Sequence, residues 1–256
     1  MEHMKGILSL FKEFHSYYSS QKCIFAIRDM TIGMNLENIT LVHNSLKGIE
    51  RDRNQDDVLI LLNPHFCLLV LFDGVSSVSE SINCIQSCKR FIQDNYSQFV
   101  GASGINLEGL IYAMHVDSLV AGEIGKTTCS ALLLSKRLNH AYIVSVGDSR
   151  IYAFSNSYLE PLTIDDNLPG NSNILTKYIG WEELKPADFH QVEVNVNQNF
   201  LICSDGFYSL MEKDLKSYFR AFHFKRKGNI KNAITRLQMN KNRDDSTYII
   251  IRDEGI

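Results

Sequence analysis

Apolar and polar positions follow two periods along this chain. Strand-like runs dominated by apolar residues occur at 58–62, 66–72, 130–135, 141–146 and 200–203. Runs of this length, bounded by polar or turn-forming residues, predict buried strands. Segments 39–43 and 192–196 alternate, and 150–154 and 248–252 complete the main strands. Asn63, Pro64 and His65 predict a hairpin between the first two runs, and Asn139 with His140 predicts the turn before 141–146. Helical spacing appears at 79–96, where Ile82, Ile85, Cys88, Phe91 and Ile92 share a face, and again at 107–120, 208–222 and 229–239. Residues 5–18 place Ile7, Leu8, Leu10, Phe11, Phe14, Tyr17 and Tyr18 near the same spacing, which predicts an amphipathic helix that docks on the core or meets a partner. Residues 23–27 suit a short strand and 35–38 a loop. The stretch 163–183 begins polar and irregular, with Pro169-Gly170 as a breaker.

The order is strands, two helices, strands, two helices, strand. Helices segregated in this way predict an α+β fold with antiparallel sheets, not an alternating β-α-β fold. The chain has 256 residues and only four prolines, with no Pro- or Gly-rich linker. One domain over 39–256 is therefore expected, preceded by an extension at 1–38. A formal net charge of -3 argues against a nucleic-acid binder. No apolar run approaches the ~20 residues that span a bilayer. The apolar patch at 7–11 runs straight into Lys12 and Glu13, unlike a signal peptide. A cytoplasmic monomer that binds neither nucleic acid nor membrane is expected. The six cysteines form no C-x-x-C pair and no zinc spacing. Cys67, Cys129 and Cys203 sit in strand-like runs, and Cys84 and Cys88 share a helix face, so reduced thiols packed as small hydrophobes are expected.

Five aspartate-bearing phrases run through this framework: Arg51-Asp52-Arg53-Asn54-Gln55-Asp56, Asp73-Gly74, Val146-Gly147-Asp148-Ser149-Arg150, Ser204-Asp205-Gly206 and Asp244-Asp245-Ser246-Thr247. Three of them follow apolar runs, so buried strands end in carboxylates. A fold that aims several strand ends at one place gathers these groups into an acidic hollow. Gathered carboxylates repel one another unless a cation lies between them, and hard oxygen ligands suit magnesium or manganese.

With these phrases in order, the chain resembles the type 2C metal-dependent protein serine/threonine phosphatases, most of all the short bacterial-style members. The matching residues are Gly48, Arg51, Asn54 and Asp56; Asp73-Gly74; Gly125 and Thr127; the Val146 to Arg150 phrase; Leu162, Thr163 and Asp165; Leu175, Thr176 and Gly180; Cys203 to Gly206; and Asp244 with Thr247. A lone Asp-Gly is usually a turn, so the resemblance rests on the whole ordered set. It implies a four-layer α/β/β/α sandwich, two central antiparallel sheets flanked by helices, with metals at one edge.

The resemblance also implies roles. Asp56, Asp73, Asp205 and Asp244 would hold two Mn2+ or Mg2+ ions, Gly74 would add its backbone carbonyl, and Asp148 would serve a weaker third ion. Arg51 would clamp phosphate, because a guanidinium fork matches two phosphoryl oxygens; the competing reading is a surface pair with Asp52 or Glu50. The implied catalytic set is thus Arg51, Asp56, Asp73, Asp205 and Asp244. Asn54 and Thr247 would orient carboxylates, Ser149 and Arg150 would support the Asp148 loop, and Asp165 would be structural. The implied reaction is hydrolysis of phosphoserine or phosphothreonine in a protein, opposing a serine/threonine kinase, by a water that two cations activate. Two departures stand out. Val75 lies where some members carry a histidine, which leaves the departing alkoxide to take its proton from solvent or a bound water, and Gln55 replaces a common glutamate. Asp57 would face away from Asp56 in an extended strand.

Three rivals compete. Cys84 and Arg90 fit the bare C-x5-R of a cysteine phosphatase, but within a helix-like stretch. Gly125-Lys126-Thr127 suggests a P-loop, yet Val120 stands where its first glycine belongs. A phosphatase-like module that only binds phosphoproteins would be expected to lose ligand carboxylates, and this chain keeps them. The basic residues Lys225, Arg226, Lys227, Lys231 and Arg236 suit a solvated helix face or the docking of an acidic phosphoprotein.

Overall fold

The computed structural model describes residues 23–25, 39–62, 66–101, 104–122, 124–135, 140–196 and 198–253. The predicted helix at 5–18, the loop at 35–38, the turn at 63–65 and Asn139 lie outside the described residues. In chain order the strands are β1 (Cys23–Phe25), β2 (Ile39–Leu46), β3 (Asp56–Leu62), β4 (Phe66–Asp73), β5 (Val100–Gly101), β6 (Gly104–Ile105), β7 (Cys129–Ser135), β8 (His140–Val146), β9 (Arg150–Phe154), β10 (Leu159–Pro161), β11 (Asn167–Leu168), β12 (Asn171–Leu175), β13 (Val192–Asn195), β14 (Asn199–Cys203) and β15 (Ser246–Asp253). The helices are α1 (Ser81–Phe99), α2 (Leu107–Val120), α3 (Asp205–Met211), α4 (Leu215–Phe222) and α5 (Lys227–Gln238).

A six-stranded sheet runs β1-β3-β4-β7-β8-β13 and a five-stranded sheet runs β10-β9-β14-β15-β2, both antiparallel. Alternation along each strand divides its side chains between two cores. On β3 and β4, Leu59, Leu61, Leu68, Val70 and Phe72 face Ile85, Ile92, Leu110 and Met114 of α1 and α2. Val58, Ile60, Leu69 and Leu71 face Ile202, Ile249 and Ile251 of the second sheet. The far side of that sheet, with Leu201, Cys203, Tyr248 and Ile250, packs on Phe207, Tyr218, Phe222, Ile230 and Ile234 of α3 to α5. Three apolar cores therefore separate four layers, α/β/β/α. Each fully buried large side chain contributes about 1.5–3 kcal/mol.

Strand β1 pairs with β3, Cys23 opposite Leu62, so part of the 1–38 segment joins the first sheet at its edge. The helix predicted over 208–222 is two helices, starting at Asp205 and interrupted by a 3-10 turn at Glu212–Asp214. Asp214 caps the second of them by accepting the Ser217 N–H at 3.4 Å, a local bond that outcompetes helix continuation. Within 163–183 a small hairpin, β11 with β12, turns on Gly170 at φ +82°. Cys67, Cys84, Cys88, Cys129 and Cys203 are all buried. No helix among the described residues is long and apolar enough to cross a membrane.

Candidate metal centre

The core between the sheets changes character at one end. Following the inter-sheet face of β3, Val58 is succeeded by Asp56; on β4, Leu71 is succeeded by Asp73. On the second sheet Ile249 gives way to Thr247 and Ile202 to Ser204. Register makes the replacement coherent: Asp56 lies opposite Asp73, and Thr247 opposite Ser45. Asp205 opens α3 directly after Ser204, Asp148 sits on the turn between β8 and β9, and Asp244 precedes β15.

Electrostatics show that these groups converge. Asp56 is 3% exposed and its Oδ2 has no hydrogen-bond partner. Burial first, then the Asp245 and Asp205 charges, push its carboxyl up to about 8, with partial relief from the Thr247 and Ser204 hydroxyls. Burial, then Asp56, Asp205, Asp148 and Asp244, hold Asp73 well above the usual carboxylate range. Asp148 is pushed up to about 7 by burial and then by Asp205 and Asp165. Asp205 is raised by burial and by Asp244. Each carboxylate thus disfavours the charge of the next. The donors are hard oxygens, and a buried carboxylate oxygen is left unbonded among them, so the set fits a divalent cation. Among the described residues the carboxylates are gathered without three of them closing as ligands on a single point.

Arg51 holds one member of the set, Asp244. Its Nε donates to Asp244 Oδ1 at 2.6 Å and its Nη2 donates to Asp244 Oδ2. This fork replaces the alternative pairing with Asp52 or Glu50. It also raises the Arg51 pKa, chiefly through the bonds to Asp244.

No protein-family model and no curated protein sequence matches the chain. Solved structures do. The serine/threonine phosphatase of S. agalactiae superposes with a TM-score of 0.70 at 16% identity, over 83% of this chain and 98% of that one. Stp1 of Staphylococcus aureus gives 0.65 at 21% identity, over 89% and 98%. The catalytic domain of PstP, solved with two manganese ions, gives 0.62 at 16% identity, over 83% and 97%. The chain has the fold of the bacterial serine/threonine phosphatases.

Within this phosphatase fold the supporting residues act mostly through backbone. Asn54 does not touch a carboxylate. Its Oδ1 accepts the Asp56 N–H at 2.9 Å and its Nδ2 donates to Ser45 Oγ at 2.7 Å. Ser45 in turn bonds Thr247 Oγ1 at 2.7 Å, and Thr247 bears on Asp56. Thr127 Oγ1 and the Thr128 N–H donate to the Asp73 carbonyl at 3.0 and 2.8 Å. A Cβ on Gly74 would lie 2.7 Å from the Gln55 carbonyl oxygen, so only glycine fits there. Arg150 forks onto Asp165 at 2.8 and 2.7 Å and stacks 3.7 Å over Tyr208, while Ser149 Oγ bonds Thr128 Oγ1 at 2.8 Å; both brace the Asp148 turn.

Sequence reasoning assigned no role to Asp245. Its carboxylate accepts the Gly48 N–H at 2.8 Å and the Gln55 N–H at 2.7 Å, fastening the loop that carries Arg51 to the β15 entry. The doubled Asp244-Asp245 was its one visible signal. Cys84 lies buried in the first core on α1 and Arg90 is exposed on the same helix, so the C-x5-R segment is helical and forms no phosphate-binding loop. Thr127 forms bridges with Gly74 and Ile179, and Lys126 lies 4.8 Å from the centre of the Tyr178 ring, which leaves no phosphate-cradling loop.

Proposed function

We propose that this chain is a manganese- or magnesium-dependent phosphatase acting on phosphoserine or phosphothreonine in proteins, a cytoplasmic monomer opposing a serine/threonine kinase. Residues 39–256 are its catalytic domain and 1–38 an extension. The observation that carries the reading is the pairing of Asp56 with Asp73 at the polar end of the inter-sheet core, inside a fold shared with serine/threonine phosphatases. Asp56, Asp73, Asp205 and Asp244, with the Gly74 carbonyl, would hold two ions, and Asp148 a third. Ions held there would supply a water of lowered pKa and would offset charge on the phosphoryl oxygens.

The chain's own groups do the rest. Asn54, Ser45 and Thr247 fix Asp56, and Thr127 and Thr128 fix Asp73. Arg51, on a loop tied down by Asp245, supplies a fork for two phosphoryl oxygens once Asp244 is engaged elsewhere. In hydrolysis a water oxygen bonds to phosphorus as the ester P–O bond breaks. The departing alkoxide takes its proton from solvent or a bound water, because Val75 has none to give. The products are inorganic phosphate and a free hydroxyl.

The Arg51–Asp244 fork favours one competing reading, a phosphatase-like module that binds phosphoproteins without turnover, since it ties up a ligand and the clamp together. Phosphate release from a phosphothreonine peptide with added manganese separates the two. Turnover that stops on chelation supports the phosphatase; tight binding with no release supports the module.

A further inference from the structure

Asp57 and Lys89 form a buried ion pair that the proposed reaction does not use. Lys89 Nζ lies 2.7 Å from Asp57 Oδ2, and both side chains are only 5% exposed. Asp57 is saturated from three sides: Gln86 Nε2 donates to the same oxygen at 2.8 Å, and the Val58 N–H donates to Oδ1 at 2.8 Å. Removing two charges from water costs several kcal/mol per ion, and an apolar pair of similar volume is often as stable or more so. Stability alone therefore does not account for it.

Position suggests what does. Asp57 follows Asp56 on β3 and points to the opposite face of the sheet, toward α1. Lys89 and Gln86 stand one turn apart on α1. The start of that helix holds the segment after Gly74, with Ser81 Oγ donating to the Val75 carbonyl at 3.0 Å, and Gln55, just before β3, holds it from the other side, its Nε2 donating to the Val78 carbonyl at 3.0 Å. The Gly74 N–H closes the loop on the Gln55 carbonyl at 3.1 Å. Beside the apolar packing of Leu59 and Leu61 on Ile85 and Ile92, this charged contact adds a directional tie between α1 and β3, and α1 in turn holds the backbone leading out of Gly74.

We propose that the Asp57–Lys89 pair is a positioning device that locks α1 to β3, so that Asp56 and the Gly74 carbonyl keep the spacing a bound divalent cation needs. Neither residue touches the ion or the substrate. The inference rests on the metal-dependent reading above.

The test is calorimetric titration of manganese into the full chain, with thermal unfolding alongside. The double variant Asp57→Leu/Lys89→Met should keep its Tm while its manganese Kd weakens at least about tenfold, as loss of a supporting partner does elsewhere. Lys89→Arg, which keeps the charge, should leave the manganese Kd at the parent's value. Gln86→Leu removes one donor at a half-buried position and covers the case in which the double variant does not fold; it should weaken binding about threefold. A parental Kd in the double variant, or in Gln86→Leu if the double variant does not fold, would overturn the positioning role. A parent that binds no manganese would instead overturn the metal-dependent reading, and this inference with it.

Discussion

Arg51 and Asp244 meet as a fork on a carboxylate, with Nε donating at 2.6 Å to Oδ1 and Nη2 donating to Oδ2. The contact joins the residue expected to hold phosphate to one expected to hold a cation, so binding of the two is linked. Arg51→Ala should raise KM for a small aryl phosphate about tenfold or more, from the loss of charge-assisted bonds, with a smaller fall in kcat. An unchanged KM removes the clamp role.

The carboxylates also set a pH dependence. Asp56 is held up to about 8 and Asp148 up to about 7, whereas both lie near 3.8 when freely solvated. The metal-free fold keeps these protons after the unfolded chain has lost them, so its stability falls as pH climbs from about 4 toward 8. A cation must displace the same protons, so apparent metal affinity rises between pH 6 and 8 and levels off above. Thermal unfolding with and without manganese measures both effects. A metal-induced gain in Tm that is flat across this range contradicts the proton competition.

Asp245 makes a structural prediction. Asp245→Ala strands the Gly48 and Gln55 N–H groups and should cost roughly 2–5 kcal/mol, read as a lower denaturation midpoint. Loss of stability below about 0.5 kcal/mol would show that the Arg51 loop is held by other contacts.

The thiols should be bystanders. Cys84 is fully buried on α1, and Cys129 and Cys203 have their pKa raised by burial. Cys84→Ala should leave turnover within about twofold, whereas a chelator should abolish it. The reverse outcome would revive cysteine chemistry.

Strands and most helices were legible because burial imposes a period on the sequence. The apolar runs at 66–72 and 141–146 became β4 and β8 almost residue for residue. The break at Glu212–Asp214 was not legible, since it depends on a local bond from Ser217 to Asp214, and apolar spacing continues across it. The aspartates proposed as metal ligands stand out as motifs only in combination. The role of Asp245 was not legible, because it acts on the Gly48 and Gln55 N–H groups, which come close only after β3 and β15 assemble in separate sheets. Asn54, expected to orient a carboxylate, instead bonds the Asp56 N–H two residues on. The direction of Asp57 followed from strand alternation, but its partner Lys89, 32 residues away, had to come from the fold.

The central claim is that Asp56, Asp73, Asp205 and Asp244 share cations. Anomalous diffraction at the manganese edge, from crystals grown in millimolar manganese, tests it most directly. Two strong peaks among those carboxylates, with Asp244 released from Arg51, are predicted, and they should vanish in Asp73→Asn. Carboxylates with no anomalous density between them, in crystals that hold manganese elsewhere, would contradict it.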